Sequence, residues 1–479
     1  MKRAVALLLT AAMTASLVGC GSTQQTTSSS AAGSLAAAST TAAAASTTAD
    51  SGAKDTITVM VPPVTGDYAD KMAEWSKEFT KENPNLTMEV INTSWDDHST
   101  KLSTMAQAGE APDIAEMGYA GIGTYVENGT ALNIADYMDK DKLAEYDKNA
   151  LGYMSIENGV YGLPLYITIQ SLGANKDMLT AAGVDVKKVQ NEGWTYDEFM
   201  DAIKKGTKDK TFGFVFADAG VTASDFISVF GSSVGINNTF SSDLKYEYTS
   251  KKMLKLLQSV EEMTKSGYMP NYGIEASQRM VMCQTGNAMI FGKAMPLFEN
   301  NINKNNAAID ANDGTAVEGS VKMSYAFLPV PHMDGVSETC LGSVDGMVAF
   351  KNNKTTDEHT ANVMKALYFL SSGERAAYVD QSVCLAGVCT SSRDALAKMD
   401  TAELDADNVA CATRLISEVV APPTGITAEQ SSNSQQIMDE VIVPKFQALL
   451  AGECTAQDMY DNICDEAKNV FGEDGCDFN

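Results

Sequence analysis

Histidine is nearly missing from this 479-residue chain: His98, His332 and His359 are scattered, and no Cys-x-x-Cys pair occurs, so no zinc site is expected. Basic residues are scarce too. Lysine and arginine number 35 against 62 aspartates and glutamates, a formal net charge of −27. That balance argues against nucleic acid and anionic lipid as partners and reads as a solvated acidic surface, with a cationic ligand left open. Beyond the N-terminus there is no run of about 20 apolar residues, the length a membrane-spanning helix needs. The stretch 21–53 lacks aromatic residues and has Asp50 as its one charge; it is almost entirely Ser, Thr, Ala, Gly and Gln. Such a segment cannot bury enough apolar surface to offset its ordering entropy, and it reads as a disordered tether reaching on the order of 30 Å.

What is present begins with an export signal. Lys2 and Arg3 precede an uncharged run from Ala4 to Val18, too short to span a bilayer and therefore expected to be removed. Its end, Leu17-Val18-Gly19-Cys20, resembles the bacterial lipobox. That resemblance implies cleavage after residue 19, diacylglycerol on the Cys20 thiol and attachment to the outer face of a cytoplasmic membrane. Eight further cysteines follow: Cys283, Cys340, Cys384, Cys389, Cys411, Cys454, Cys464 and Cys476. Outside the cytoplasm these permit disulfides, with Cys384–Cys389 and Cys454–Cys464 the nearest pairs, and in a reducing setting they are core thiols.

After the tether the pattern alternates. Thr56–Val61, Leu86–Ile91 and Asp113–Met117 read as strands, separated by helical stretches near 67–82 and 96–108. Strand, helix, strand, helix, strand implies a parallel sheet with helices on both faces and a ligand beyond the carboxyl ends of the strands. Short strands are expected again at 212–216, 288–291, 323–330 and 346–350, and helices close the chain.

The order of features is similar to the extracellular solute-binding proteins of bacterial ABC importers, in the group that includes the maltose-binding protein. Ala111-Pro112-Asp113-Ile114, Tyr161-Gly162-Leu163-Pro164, Asn175-Lys176-Asp177, the segment from Gly193-Trp194 to Phe199, and Gly286-Asn287-Ala288-Met289 carry the resemblance. It implies an α/β fold of two lobes, each a mainly parallel sheet flanked by helices. The expected lobes are 54–166 with 330–370, and 167–329 with 371–479, joined near Leu165–Gln170, Pro329–Pro331 and Leu370–Gly373. It further implies a non-catalytic monomer that closes on a small-molecule solute, most simply an oligosaccharide, and hands it to an ABC transporter permease without a cofactor.

A sugar cleft needs aromatic plates and side chains that accept or donate paired hydrogen bonds. The candidates at strand ends and crossings are Trp95, Asp97, Glu116, Tyr119, Tyr166, Gln170, Phe216, Asp218, Met295, Ser343 and Asp345. Trp95 reads equally as a core residue or a staple, Asp96 as a helix cap, and Asp345 as a turn residue before Gly346. Tyr166 and Phe216 read more readily as packing than as contacts. Trp194 is assigned to structure, at the start of a helix. Where many sugar-binding relatives carry a tryptophan, this chain has Gly292-Lys293-Ala294-Met295-Pro296, so Met295 replaces the plate and Lys293 leaves room for an anionic solute.

Two enzyme readings compete. Gly231-Ser232-Ser233-Val234-Gly235 matches the Gly-x-Ser-x-Gly elbow of serine hydrolases, which requires a strand before and a helix after. A glycosidase would use two carboxylates at a separation that sequence cannot supply.

Overall fold

The computed structural model describes residues 54–479 except 170, 217–221, 421 and 424. The signal, Cys20, the tether, Gln170 and Asp218 lie outside the described residues. Strands β1 (Asp55–Val61), β2 (Leu86–Asn92) and β3 (Ile114–Gly118) form where expected and pair in parallel, with Val59 beside Val90 and Ile114. The helix Tyr68–Glu82 that joins β1 to β2 buries Tyr68, Met72, Trp75 and Phe79, spaced three and four apart so that one face meets the sheet. A small hairpin, β4 (Ser155–Ile156) with β5 (Gly159–Val160), precedes β6 (Gly162–Ile169). The chain then enters a second sheet through β7 (Leu172–Asn175), β8 (Phe212–Val215), β9 (Ala288–Gly292) and β10 (Tyr325–Leu328), before β11 (Cys340–Ala349) and β12 (Val419–Val420) return to the first.

The first sheet has the order β12-β11-β3-β1-β2 with β6 on β11, and the second β10-β7-β9-β8. Both are mixed rather than mainly parallel. β11 runs antiparallel to β3 and β6, and β7 runs antiparallel to β9 and β10, because the strands that carry the chain from one lobe to the other reverse its direction. The chain passes between the two sheets from Ile169 to Leu172 and again from Leu328 to Cys340. Val379, Val383 and Cys389 join the core of the first sheet, so residues 373–396 stay with it and the chain leaves only before the helix Ala406–Ser417, which packs on the second. Leu370–Gly373 instead joins two helices that share an apolar face, and that shared burial holds them together.

A further connection has no simple sequence signal. Helix Ala428–Ile437, opened by a capping box between Thr427 and Gln430, lies against helix Ile122–Glu127 of the first lobe. It approaches so closely that a Cβ on Gly123 would collide with Ser431. It continues through a π-helical turn, Met438–Ile442, into Val443–Ala451, which packs on helix Lys251–Lys265 of the second lobe.

Two features that the sequence singles out, Trp194 and Asp113, are structural. Trp194 is buried, its indole N–H donates to the Pro329 carbonyl at 2.9 Å, and Thr195 and Glu198 form the capping box of the next helix. Asp113 accepts from the Thr58 backbone at 2.7 Å and meets His359 Nε2 at 3.0 Å, while His359 Nδ1 lies 2.9 Å from both Asp55 oxygens. This network ties β1, β3 and helix Asp357–Ser371 together.

Burial opposes charge on both His359 and Asp113. For His359, the carboxylates of Asp113 and Asp55 outweigh it and raise the imidazole above 6.5; for Asp113, hydrogen bonds from His359, Thr58 and Asn352 lower the carboxyl below 3.8. A raised imidazole contributes stability that is complete below about 6.5 and lost as pH climbs through the raised value. The depressed carboxyl contributes stability that is complete above about 4 and lost as pH falls through the lowered value. Thermal stability is therefore expected to be highest between about pH 4 and 6.5, and His359→Gln to remove roughly 2 kcal/mol there while flattening the alkaline decline. Melting midpoints of both chains at pH 5.5 and 8.5 check this; an unchanged alkaline slope in the variant would contradict it.

Candidate functional site

The pairing of β11 with β3 and β6 brings Glu116 on β3, Tyr166 on β6 and Asp345 on β11 together. Asp345 pairs in register with Tyr166 on one flank and Gly118 on the other, and the β6 register shifts directly after it. Gly118 leaves room for this carboxylate, since a Cβ there would stand 3.2 Å from Asp345 Oδ1. Tyr68, the first residue of its helix, donates its hydroxyl to Glu116 Oε2 at 3.2 Å. The Tyr166 hydroxyl lies beside both carboxylates and favours the ionised form of each. Glu116 is fully buried, and its Oε1 has no hydrogen-bond partner among the described residues. Burial, then the neighbouring Asp345, pushes the Glu116 carboxyl well above its usual range; burial also raises Asp345, against the pull of Lys293.

The second lobe faces this group with Asp225, on helix Thr222–Phe230, and Lys293, just after β9. Their side chains form an ion pair. Lys293 holds a positive φ of 51°, a backbone conformation unusual for a residue with a side chain, at the turn that presents its ammonium to Asp225. The lysine is thus engaged with a carboxylate, which removes the basis for an anionic solute. Arg279, on helix Gln278–Gln284, is only 8% exposed, stands 6.0 Å from the Phe298 ring centre, and lies within the field of Asp225 and of Asp96 from the opposite lobe. Its Nε and Nη1 have no acceptor among the described residues. Asp96 presents a buried, unpartnered Oδ1 and meets Glu275 of the second lobe.

The remaining candidates divide. Tyr119 stands edge-on to Tyr153 at 4.9 Å, close to Tyr248 of the other lobe, and the buried Tyr153 hydroxyl is unpartnered among the described residues. Trp95 is 39% exposed with its indole N–H on the Pro63 carbonyl at 3.0 Å. Ser94, not Asp96, caps its helix, and Asp97 is engaged there: its N–H donates to Ser94 Oγ at 3.1 Å and its Oδ2 accepts from the same hydroxyl at 2.8 Å. Phe216 sits in the core, 5.3 Å from the Phe226 ring and over Gly292, where a Cβ would collide with it. Ser343 is half-buried, and its carbonyl accepts from Thr168 at 3.3 Å. Met295 packs against the core of the first sheet.

Sequence reasoning missed Tyr68, Asp225 and Arg279. A signal for the last was present: Arg279 is the one arginine between Arg3 and Arg375.

The Gly231–Gly235 segment does not build a nucleophile elbow. A helix rather than a strand precedes it, residues 231–234 form a 3₁₀ turn, and Ser232 and Ser233 are buried, the Ser232 hydroxyl donating to the Val229 carbonyl at 3.2 Å. The thiols of Cys283, Cys384, Cys389, Cys411, Cys454, Cys464 and Cys476 are free. Burial pushes Cys283 and Cys411 up to about 12, which makes both inert near neutrality.

Residues 62–374 match the model of the bacterial extracellular solute-binding protein. The chain belongs to this family. Among relatives of this solute-binding protein, the maltodextrin-binding protein of Bacillus subtilis is 29% identical over 168 residues, 35% of this chain and 37% of that one. The chain spans about two fifths of the length of the curated relatives it matches. Its fold is similar to the Listeria monocytogenes ABC substrate-binding protein in complex with cycloalternan, with TM-score 0.66 and 20% identity over 88% of this chain and 99% of that one. It is likewise similar to maltose-bound MalE3 of T. maritima, with TM-score 0.65 and 19% identity over 87% of this chain and all of the other.

Proposed function

We propose that the protein is a non-catalytic receptor that captures a carbohydrate between its lobes and passes it to an ABC importer, held at the membrane through a lipidated Cys20. One observation carries this reading. Among the described residues, Glu116 Oε1 and Asp96 Oδ1 on one lobe are buried acceptors without partners, and on the other lobe Arg279, which lies in the field of Asp96, is a buried guanidinium whose Nε and Nη1 have none. Unmet hydrogen bonds of buried polar groups cost about 1–3 kcal/mol each, so a ligand that supplies both a donor and an acceptor is favoured. A sugar hydroxyl does both at once. Closure of the lobes then excludes water and distinguishes loaded from empty receptor. The lobes, the passages between them and the names of the relatives support the same reading, and the tryptophan missing near Met295 means that polar contacts rather than a large plate carry recognition.

The test is a thermal-shift screen of oligosaccharides with analysis of the recovered ligand. A saturating sugar, at one hundred times its dissociation constant, is expected to stabilise the protein by about 2.7 kcal/mol and to be recovered intact. A screen in which no carbohydrate moves the midpoint, or in which the sugar is cleaved, would overturn the proposal.

A further inference from the structure

We infer that the ligand carries a protonated amine among its hydroxyls, an aminated oligosaccharide rather than a neutral one, and that Glu116 and Asp345 seat that amine. This rests on reading the cleft as a carbohydrate site, and it follows from how charge is distributed there. The first lobe contributes Glu116, Asp345 and, at the head of the Trp95–Gln107 helix, Asp96 and Asp97; the second contributes Asp225 and Glu275. Among the described residues the cations acting on this group are Lys293 and Arg279. Lys293 is spent on Asp225, and Arg279 stands between Asp225 and Asp96. Glu116 and Asp345 are therefore left with two tyrosine hydroxyls, from Tyr68 and Tyr166, and no basic side chain in contact.

Two neighbouring buried carboxylates with no ion-pair partner among the described residues are costly, and a cation brought between them is favoured. An ammonium suits the opening: it has three donors and no acceptor, and it can meet Glu116 Oε1, which is buried and unpartnered, together with Asp345. A hard metal ion suits it less, since no group of three or more potential metal-ligating side chains is assembled among the described residues. Arg279 and the tyrosines remain for the hydroxyls. Burial and repulsion from neighbouring carboxylates raise both carboxyls, and an arriving ammonium favours their ionised forms, so binding is expected to release protons.

Isothermal titration of the lipid-free mature chain tests this with a glucosamine trimer, its fully N-acetylated counterpart, a glucose trimer and spermidine. The aminated trimer is expected to bind at least tenfold more tightly than the acetylated one at pH 7.5, with proton release visible as a buffer-dependent heat. Glu116→Gln and Asp345→Asn, two variants so that one misfolded chain does not decide the matter, are each expected to erase that preference. Equal or tighter binding of the acetylated or glucose trimer would overturn the amine and leave the carbohydrate receptor standing. Spermidine binding as tightly as the aminated trimer would overturn a sugar-borne amine, and no response to any sugar would overturn both readings.

Discussion

Replacing Arg279 with alanine is expected to weaken ligand binding 30-fold or more while leaving the empty protein as stable as before, or more so. The two effects have one cause. The guanidinium is buried, its Nε and Nη1 have no partner among the described residues, and burial works against its charge, with Asp225 and Asp96 offsetting part of that cost. Removing it relieves an unmet desolvation penalty. In the loaded cleft the same groups meet ligand oxygens, and a hydrogen bond from a charged donor contributes about 1.5–3 kcal/mol, so losing even one is a change of roughly ten- to a hundredfold. Arg279→Lys should rescue little, because a lysine offers a point charge rather than a planar set of N–H groups. Titration with the best ligand and a melting curve without it check both halves. A lower melting midpoint with unchanged affinity would show that Arg279 serves the fold instead.

Cys20→Ala is expected to move the protein from the membrane fraction to the medium almost completely, with ligand affinity unchanged. The thiol is the atom to which the lipobox resemblance assigns the lipid, and one substitution removes every acyl chain that depends on its processing. Anchoring by two or more chains is firm and by a single chain marginal, so little intermediate behaviour is expected. Fractionation of cells expressing either chain, with titration of the released protein, gives the answer. Material that remains with membranes after the substitution would refute anchoring through this residue.

The sequence offered Glu116 from the end of a strand, Tyr166 from a crossing between lobes and Asp345 from the stretch before Gly346, and the pairing of β11 with β3 and β6 is what brings the three together. Phe216 was also offered from a strand end and still went into the core, since its ring fills the space over Gly292 beside Phe226. A strand end says where a residue is, not which way its neighbours leave room. Asp97 likewise stood in a promising place and is engaged in the cap made by Ser94.

The sequence by itself determined the strands of this protein's first sheet and supplied the lipobox resemblance on which the proposed anchoring rests. Hydrophobic period, capping residues and a lipobox are local, and each is settled by side chains within a few positions of one another. Only the tertiary structure decided that Lys293 pairs with Asp225, that Arg279 comes to stand near Asp96 of the opposite lobe, and that the helices Ala428–Ile437 and Val443–Ala451 join both lobes. Those pairings join residues far apart in the chain. They depend on how two separately packed cores close on each other, and no spacing along the chain encodes that closure.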